Sequence, residues 1–320
     1  RSKMMDIFTK LNIYRNAIRH INFYFSEEKK ENALPGKMMG EIIRNVHSIE
    51  KGLSLEKPRK FFGYKKIMDM FELLDSYVKC DFYEEEVVYM ALDAVKEYLE
   101  FHKSDSSDNR ILEIQRRYEN LKQQHDHDDG IKYGGTLLVK KDTSKHITIE
   151  KAIHDRHSIR DFKAGEVSLE ALKKAIELAY RCPTACNRQG VRTYVISGEK
   201  KNALNDWVAG VGGFAEKVDK FIIITGKVSE YRDDEQFQYA ISASIFAGYL
   251  SITLQTEGIG ACIIQRPILL CKKWKKLQKE FNIPSDEQIV LMLGIGILKD
   301  EYRVPVSHRL SVDKLVTMIE

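Results

Sequence analysis

Residues 156–162, with the sequence RHSIRDF, gather two arginines, a histidine and a hydroxyl within a short stretch of chain. A guanidinium presents a planar fork of donors that matches a phosphate, and a serine hydroxyl adds a donor beside it. Arg156, His157, Ser158 and Arg160 can therefore bind an anion. Arginines at this spacing also occur on solvated helix faces, so the stretch alone leaves both interpretations open. We call residues 156–162 the arginine segment.

The composition is that of a folded globular protein, with 43% hydrophobic and 31% charged residues in a chain of 320. This length suggests one large domain or two ordinary ones. The formal net charge of +4 is small, so charge does not indicate a nucleic-acid partner. Neither a membrane-length apolar run nor an apolar signal region is present, so the sequence predicts no membrane partner and a cytoplasmic location.

The cysteines and histidines give no strong metal signal. Five scattered cysteines, an odd number, favour reduced thiols over a disulfide framework. Cys182 and Cys186 lack a second ligand pair at zinc-finger spacing. His125 and His127 lie in a polar run whose neighbouring side chains have no scaffold to fix their geometry, which favours a solvated loop. We expect no metal site.

The first part of the chain carries helical patterns. Apolar residues recur at helical spacing over residues 38–48, 83–99 and 111–123, and strand signals are few. The sequence therefore predicts a helical N-terminal domain over residues 1–130. Residues 131–147 contain adjacent glycines without apolar periodicity, which predicts a linker.

One feature of the helical part concerns His47 and Glu50, which are three residues apart and can meet on one helix face. Gly52 would then end the helix. A helix end with a surface histidine explains this spacing, and a supporting role at a neighbouring active site is the alternative.

Residues 148–320 alternate between strand and helix patterns, which predicts one α+β domain with a small sheet covered by helices. A short helix over residues 149–155 leads into the arginine segment, and Ser168 can cap the next helix. A long helix over residues 237–256 is mostly small and apolar, which places it in the core or at a subunit interface. Strands are predicted over residues 191–197, 220–225, 261–264 and 289–298, and a last helix over residues 311–319.

Three glycine-rich stretches, at residues 210–213, 258–260 and 294–296, invite comparison with dinucleotide-binding loops. None has the G-x-G-x-x-G spacing between a strand and a helix that such a loop requires. Turns or close packing explain these glycines better.

Four separated segments together resemble, in order and spacing, the FMN-dependent nitroreductase family. They are the arginine segment, PTACNRQ at residues 183–189 (the proline segment), EGIGACII at residues 257–264 and VPVSHR at residues 304–309. The resemblance covers about residues 148–320. It implies an α+β nitroreductase-like fold, with a small mixed or antiparallel sheet flanked by helices, an intertwined homodimer, and FMN at the subunit interface. The helical N-terminal domain would be an extension of that fold.

The resemblance also implies which residues contact the flavin. Arg156, Ser158 and Arg309, helped by His157 and Ser307, would hold the phosphate, since guanidiniums suit a phosphate dianion.

Other parts of the flavin would meet other residues. Arg160 would lie near the pyrimidine edge, where a cation stabilises the reduced ring. The amides of Asn187 and Gln189, lent by the second subunit, would contact the ring and ribityl chain, and residues 263–266 would pass beneath the ring and offer a backbone N–H. The full set of implied FMN contacts is Arg156, His157, Ser158, Arg160, Pro183, Thr184, Ala185, Asn187, Gln189, Ile264, Gln265, Ser307, His308 and Arg309.

The chain departs from the family pattern at two places. Ala185 replaces a serine of the proline segment, and Gln265 and Arg266 replace a glycine or an acid usual near the reactive ring nitrogen. Backbone donors survive such changes, whereas the shape above the flavin changes, so the substrate is the weakest inference.

By this resemblance the protein would oxidise NAD(P)H by a ping-pong mechanism and reduce a nitro, quinone or related small acceptor. No side chain needs to act as a nucleophile, so no catalytic residue is assigned, and the choice between NADH and NADPH stays open. Two alternatives remain. One is a specialised flavoprotein for dehalogenation or biosynthetic oxidation, which the extra helical domain favours, and the other is a non-catalytic dimeric binding module.

Overall fold

A computed structural model describes residues 11, 14–15, 17–18, 33–81, 83–125, 127, 130–142, 147–205, 210–231, 235, 237–265 and 274–319. The described residues divide into two compact units. One, the sheet unit, draws on the ranges 1–21 and 140–302, and the other, the helical unit, draws on the ranges 22–139 and 303–320. No helix in these described stretches is both long and apolar enough to cross a lipid bilayer.

The N-terminal helical region predicted from the sequence is present. Its helices are α1 (Ala33–Leu53), α2 (Tyr64–Tyr77), α3 (Glu85–Phe101) and α4 (Asn109–Gln124). Each turns an apolar stripe inward, as Ile67, Met70 and Leu74 of α2 do, all fully buried. Burying such a side chain contributes roughly 1.5–3 kcal/mol, so packing of these stripes stabilises the helices more than intrinsic propensity does.

Gly52 lies inside α1 and does not end it, so the predicted helix stop is wrong. The helix continues through Leu53, and a Cβ on Gly52 would lie 2.0 Å from Cε2 of Phe62. Glycine is therefore required here for the close approach of an aromatic ring. The neighbouring prediction is confirmed, because His47 Nδ1 and Glu50 Oε2 are 3.7 Å apart on the same face.

His125 and His127 pack against α3 and are not solvated, so the expectation of a solvated loop is wrong for these two histidines. His127 Nε2 lies 3.1 Å from Asp93 Oδ1, and the amide of Tyr133 donates to Asp93 Oδ2 at 2.7 Å. The side chains of His125 and His127 are only 9% and 10% exposed. The buried Asp93 carboxylate thus binds His127 and accepts from the amides of Tyr133 and Gly134, which composition alone does not reveal.

The sheet unit is built on a four-stranded antiparallel sheet with the strand order β2, β3, β5, β4. These strands match the four predicted ones, and the α+β class is confirmed. A second sheet pairs two strands that the sequence patterns did not predict, β1 and β6. The strands are β1 (Thr136–Lys140), β2 (Val191–Ile196), β3 (Lys220–Lys227), β4 (Ile259–Ile264), β5 (Glu287–Ile297) and β6 (Glu301–Pro305).

The remaining helices are α5 (Ile149–Asp155), α6 (Leu169–Ala179), α7 (Lys200–Asn205), α8 (Gln238–Thr256), α9 (Trp274–Glu280) and α10 (Val312–Leu315). Helix α8 covers the sheet with Phe246, Leu250 and Leu254, which share a core with residues of β3 and β5. The last helix is shorter than predicted, because Val316 already takes an extended conformation (φ −119°, ψ 124°).

Candidate functional site

The arginine segment runs along the edge strand β4. Helix α5, capped by the Thr148 hydroxyl, ends at Asp155, and the backbone of Arg156 after it is extended (φ −69°, ψ 114°). The amide of Ile159 then donates to the carbonyl of Ala261 at 2.9 Å. This hydrogen bond ties the segment to the sheet and brings together two of the four motifs that carry the family resemblance.

Two glycines fix the position of the segment by admitting the ring of Phe162. A Cβ on Gly296 would lie 2.6 Å from Phe162 Cγ, and a Cβ on Gly260 would lie 3.2 Å from its Cε1 and from Ile159 Cγ2. Phe162 is 4% exposed and Ile159 is 1% exposed. The interpretation of these glycines as close-packing residues is confirmed, and their lack of a Cβ decides where the arginines lie.

The polar side chains of the arginine segment differ in burial. Arg156, His157 and Ser158 are half-buried, whereas Arg160 is 7% exposed and donates from Nη1 to the carbonyl of Ser158 at 3.3 Å. Burial of a guanidinium costs free energy unless hydrogen-bond acceptors satisfy its donors. The surroundings of Arg160 must therefore supply such acceptors.

Asp161 anchors the middle of the segment through two ion pairs. Its Oδ1 lies 2.9 Å from Lys217 Nζ, and its Oδ2 lies 2.7 Å from Lys299 Nζ. Asp161 is only 7% exposed, so solvent screens these contacts weakly. Sequence reasoning missed Lys217 and Lys299, which are distant in the chain and belong to no motif.

The proline segment forms a tight turn with unusual backbone angles. Cys186, Asn187 and Gln189 have φ values of 52°, 53° and 55°. Asparagine tolerates this region, but cysteine and glutamine rarely adopt it, and such residues persist where surrounding contacts fix them. One such contact is the hydroxyl of Thr184, which accepts from the amide of Gln189 at 3.0 Å. The side chains of Asn187 and Gln189 are exposed.

Arg188 supplies the main external anchor of this turn. Its Nε donates to the carbonyl of Ala185 at 3.1 Å, and its guanidinium carbon lies 4.5 Å from the ring centre of Tyr231. Both terminal nitrogens bind Glu235, and the pKa of Arg188 is raised mainly by these hydrogen bonds. Sequence reasoning did not select Arg188, because its partners Tyr231 and Glu235 lie more than forty residues away in the chain.

The end of β4 carries the next predicted contacts. Ile264 closes the strand and is 5% exposed, and Gln265 follows it with an exposed side chain. Arg266 lies outside the described residues. The backbone of residues 263–265 therefore lies at the end of the edge strand β4.

The predicted FMN contacts of the sheet unit lie at opposite edges of the four-stranded sheet. The arginine segment and Gln265 belong to the β4 edge, whereas the proline segment leads into β2 at the opposite edge. Three strand spacings separate these edges, about 14 Å. The register aligns the start of β2 with the beginning of β5, near Gln288, and the end of β4 with the middle of β5, at Met292.

The last predicted contacts belong to the helical unit. Ser307 has a φ of 48°, and its carbonyl accepts from Arg309 Nη1. His308 Nε2 lies 3.2 Å from Glu86 Oε2, and its ring centre is 4.6 Å from that of Tyr133. That these residues meet Arg156 and Ser158 stays a prediction.

Metal-binding geometry is absent from the described part of the chain, where no three His, Cys, Asp or Glu side chains are grouped suitably for an ion. Among the described residues, Cys80, Cys182, Cys186 and Cys262 form no disulfide bond. Burial raises the pKa of Cys182.

Comparison with solved structures finds chains that are similar to about half of this chain. A nitroreductase family protein from Streptococcus pneumoniae TIGR4 is 18% identical and has a TM-score of 0.45, with 54% of this chain and 100% of that chain covered. A nitroreductase-like family protein from Bacillus cereus is 14% identical, with a TM-score of 0.47 and coverage of 56% and 100%. A protein described as a nitroreductase in complex with FMN, from Desulfovibrio desulfuricans, is 17% identical, with a TM-score of 0.47 and coverage of 54% and 96%.

Sequence comparison gives a more direct finding. No protein with curated function matches the chain significantly. The model of the nitroreductase family matches residues 153–228, which include both the arginine segment and the proline segment. The predicted resemblance to the nitroreductase family is therefore confirmed over residues 153–228.

Proposed function

We propose that this protein is an FMN-dependent oxidoreductase that oxidises NADH or NADPH and reduces a nitro, quinone or related small acceptor by a ping-pong mechanism. The observation that carries the proposal is the arginine segment, held along β4 by Phe162 within the region that matches the nitroreductase family. Bound FMN would supply the hydride-transfer chemistry, and the chain would supply binding and orientation.

The donors of the arginine segment fit an anionic cofactor. Arg156, His157 and Ser158 are adjacent and half-buried, and they directly follow helix α5. A guanidinium and a hydroxyl suit a phosphate monoester. Arg160, buried in the same segment, would place a fixed cation near the pyrimidine edge of the ring and favour the reduced form.

The position of the proline segment supports a site shared between two copies of the chain. Its exposed amides, Asn187 and Gln189, lie on the turn before β2, at the sheet edge opposite the arginine segment. A second subunit could bring this turn to the β4 edge of the first.

Helix α8 also supports a homodimer. One face of the helix is buried on the sheet, yet Ile241, Ile245 and Tyr249 are 49%, 38% and 43% exposed on another face. A helix that is apolar on two faces is usually covered on both. We therefore propose that α8 contributes to the dimer interface.

Residues of the C-terminal region would complete the phosphate contacts. Ser307, His308 and Arg309 are proposed to join Arg156 and Ser158 at the phosphate of FMN. We further propose that residues 1–130 form a helical domain, residues 131–147 a linker, and residues 148–320 the FMN-binding domain.

Flavin content and half-reactions test this function. The purified protein, reconstituted with FMN, should show a flavin spectrum that bleaches on anaerobic addition of NADH or NADPH and returns when a quinone or nitroaromatic compound is added afterwards. Reduction in the absence of acceptor separates a ping-pong mechanism from one that needs both substrates bound together.

Two other results would contradict the proposal. A protein that cannot bind FMN would support a non-catalytic dimeric module. A flavin-containing protein that NAD(P)H reduces, but that neither acceptor reoxidises, would support a specialised flavoprotein.

A further inference from the structure

Ser307, His308 and Arg309 belong to the helical unit, which includes residues 303–320. Under the proposed function these three residues bind the phosphate of FMN. We call residues 303–314 the C-terminal segment. What holds this segment in place also sets the geometry of the phosphate contacts, so an inference about its neighbours rests on the proposed function.

The C-terminal segment contains a residue whose backbone needs support. Ser307 has a φ of 48°, in the left-handed region that serine rarely adopts. Its carbonyl accepts a hydrogen bond from Nη1 of Arg309. A residue in this conformation persists where surrounding contacts fix it. The neighbours of Ser307 therefore decide whether its hydroxyl and the guanidinium of Arg309 keep their positions.

The chain before Ser307 is held beside strand β1. The amide of Val306 donates to the carbonyl of Gly135 at 3.0 Å, and Nη1 of Arg303 donates to the hydroxyl of Thr136 at 3.3 Å. Gly135 directly precedes β1, and Thr136 begins it. These contacts fix the chain up to the residue before the positive φ.

Glu86, in the first turn of α3, binds the C-terminal segment at two points. Its Oε2 lies 3.2 Å from Nε2 of His308, and its Oε1 lies 3.6 Å from Nζ of Lys314. Lys314 also binds Glu84. The side chains of Glu86 and His308 are 19% and 21% exposed, so solvent screens their contact only in part. One carboxylate thus contacts the chain on both sides of the stretch that follows Arg309.

The ring of His308 has a second fixed neighbour. Its centre lies 4.6 Å from the ring centre of Tyr133, and the two rings are tilted by 50°. Tyr133 is itself held, because its amide donates to Asp93 at 2.7 Å. Leu310 packs against the core of the same unit. The carboxylate of Glu86 and the ring of Tyr133 therefore restrict the orientation of the His308 ring.

The two partners are distant in sequence. Glu86 and His308 are 222 residues apart in the chain. Glu86 also lies before residues 153–228, which match the nitroreductase family. The N-terminal helices thus supply a contact to a segment that the resemblance assigns to the cofactor, which gives these helices a role in the same protein.

We propose that Glu86 is a positioning residue for the phosphate of FMN. It does not touch the cofactor, and it acts through His308 and Lys314. Its contacts hold Ser307 and Arg309 in the arrangement that binds phosphate. Such preorganisation strengthens binding, because less ordering remains to be done when the ligand arrives.

Fluorescence titration of the full-length apoprotein with FMN and with riboflavin, which lacks the phosphate, tests this role. Glu86→Ala should weaken FMN binding roughly tenfold through the loss of preorganisation and leave riboflavin binding unchanged. Glu86→Gln keeps an oxygen that can accept from His308, and it should lose less affinity. Glu85→Ala is the matched control in the same helical turn, where the carboxylate binds Tyr83 and His125, and it should bind FMN as the parent does.

The phosphorus NMR signal of bound FMN gives a signature that a change in overall stability would not produce. It should shift in Glu86→Ala relative to the parent and stay in place in Glu85→Ala. Lys314→Ala should also weaken FMN binding, by less than Glu86→Ala, because the contact with His308 remains. If Glu86→Ala does not fold, Glu86→Gln and Lys314→Ala decide in the same way.

The outcomes separate this role from the proposed function. Equal FMN affinity in the parent, Glu86→Ala and Lys314→Ala, each folded by circular dichroism, overturns the role of Glu86 and leaves the proposed function intact. Equal losses of FMN and riboflavin affinity also overturn it, because the effect would then not pass through the phosphate. A parent that binds neither flavin overturns the proposed function, and the role of Glu86 with it.

Discussion

Arg188 and Glu235 form a two-pronged ion pair, with Nη1 2.5 Å from Oε2 and Nη2 2.9 Å from Oε1. Arg188 lies inside the turn in which Cys186, Asn187 and Gln189 have positive φ. Each such residue stores about 1–3 kcal/mol of strain, so contacts from outside the turn must hold it. The pair thus connects the strained turn to a distant part of the sheet unit.

Arg188→Lys is expected to loosen the proline segment, because an ammonium cannot reproduce the planar fork that binds both carboxylate oxygens. Under the proposed function, FMN binding should weaken roughly tenfold through the loss of preorganisation, and this can be measured by fluorescence titration. Arg181→Ala, at an exposed arginine before the turn, should leave affinity unchanged. Equal affinities in all three proteins would show that the turn does not need this anchor.

Gly296→Ala is expected to displace Phe162 and, with it, the arginine segment. The added Cβ would lie 2.6 Å from the ring, and overpacking of this kind typically costs about 1–3 kcal/mol. Urea denaturation should therefore show a lower free energy of unfolding. Gly40→Ala is the matched control in α1, where nothing lies within 4 Å, and it should be neutral or stabilise by up to about 1 kcal/mol. A Gly296→Ala protein as stable as the parent would contradict the close contact between Gly296 and the ring of Phe162.

Arg156→Ala tests the proposed phosphate contact. Loss of one charge-assisted interaction with a phosphate should cost about 1.5–3 kcal/mol of FMN affinity, or roughly ten- to a hundredfold. Equilibrium dialysis measures this loss, and riboflavin, which lacks the phosphate, should show no difference between the two proteins. Unchanged retention of FMN would place the phosphate elsewhere.

Much of the fold follows from local patterns, whereas several site features depend on distant residues. Helix α2 is not among the helices predicted from the sequence. The four strands of the main sheet and the helices α1, α3, α4, α5, α6 and α8 have sequence patterns that predict them. Strands β1 and β6 do not, since β1 is largely exposed and its partner lies about 160 residues further along the chain. Strands so far apart in the chain lose chain entropy before they form their contacts. The local sequence pattern of either strand does not indicate such a pairing.

In the candidate site, too, some features follow from local sequence and others depend on distant residues. Residue types show that the arginine segment can bind an anion but leave a solvated face equally open, and the family resemblance supplies the proposed role. The position of the Phe162 ring against Gly260 and Gly296, however, depends on strands β4 and β5, which only the folded chain brings together. The same holds for Gly52, whose helical position is explained by the ring of Phe62 and not by its own conformational freedom.

Ile245→Glu tests the role of helix α8 in a homodimer. A charge in the middle of the exposed apolar face would be buried without a partner in an interface, which is strongly unfavourable. Sedimentation equilibrium should show a dimer for the parent and a monomer, with reduced FMN content, for the variant. Leu112→Glu, at a half-exposed position on α4, should leave the dimer intact. A dimeric Ile245→Glu protein would move the interface away from this face.

Glu97 should make the helical unit sensitive to acid. Burial alone would raise the pKa of Glu97, but hydrogen bonds from Lys132 and Thr136 outweigh it and leave the pKa below its ordinary value of 4.5. The carboxylate is thus favoured in the folded state, and its contribution is present above about pH 4.5 and is lost as the pH falls through the lowered pKa. Glu97→Gln should therefore destabilise the protein at pH 7 by about 1–2 kcal/mol, and this difference should shrink below pH 4. Urea denaturation across this pH range measures it. Glu100→Gln, an exposed residue of the same helix, should show little effect, and a Glu97→Gln deficit that stays constant with pH would contradict the assignment.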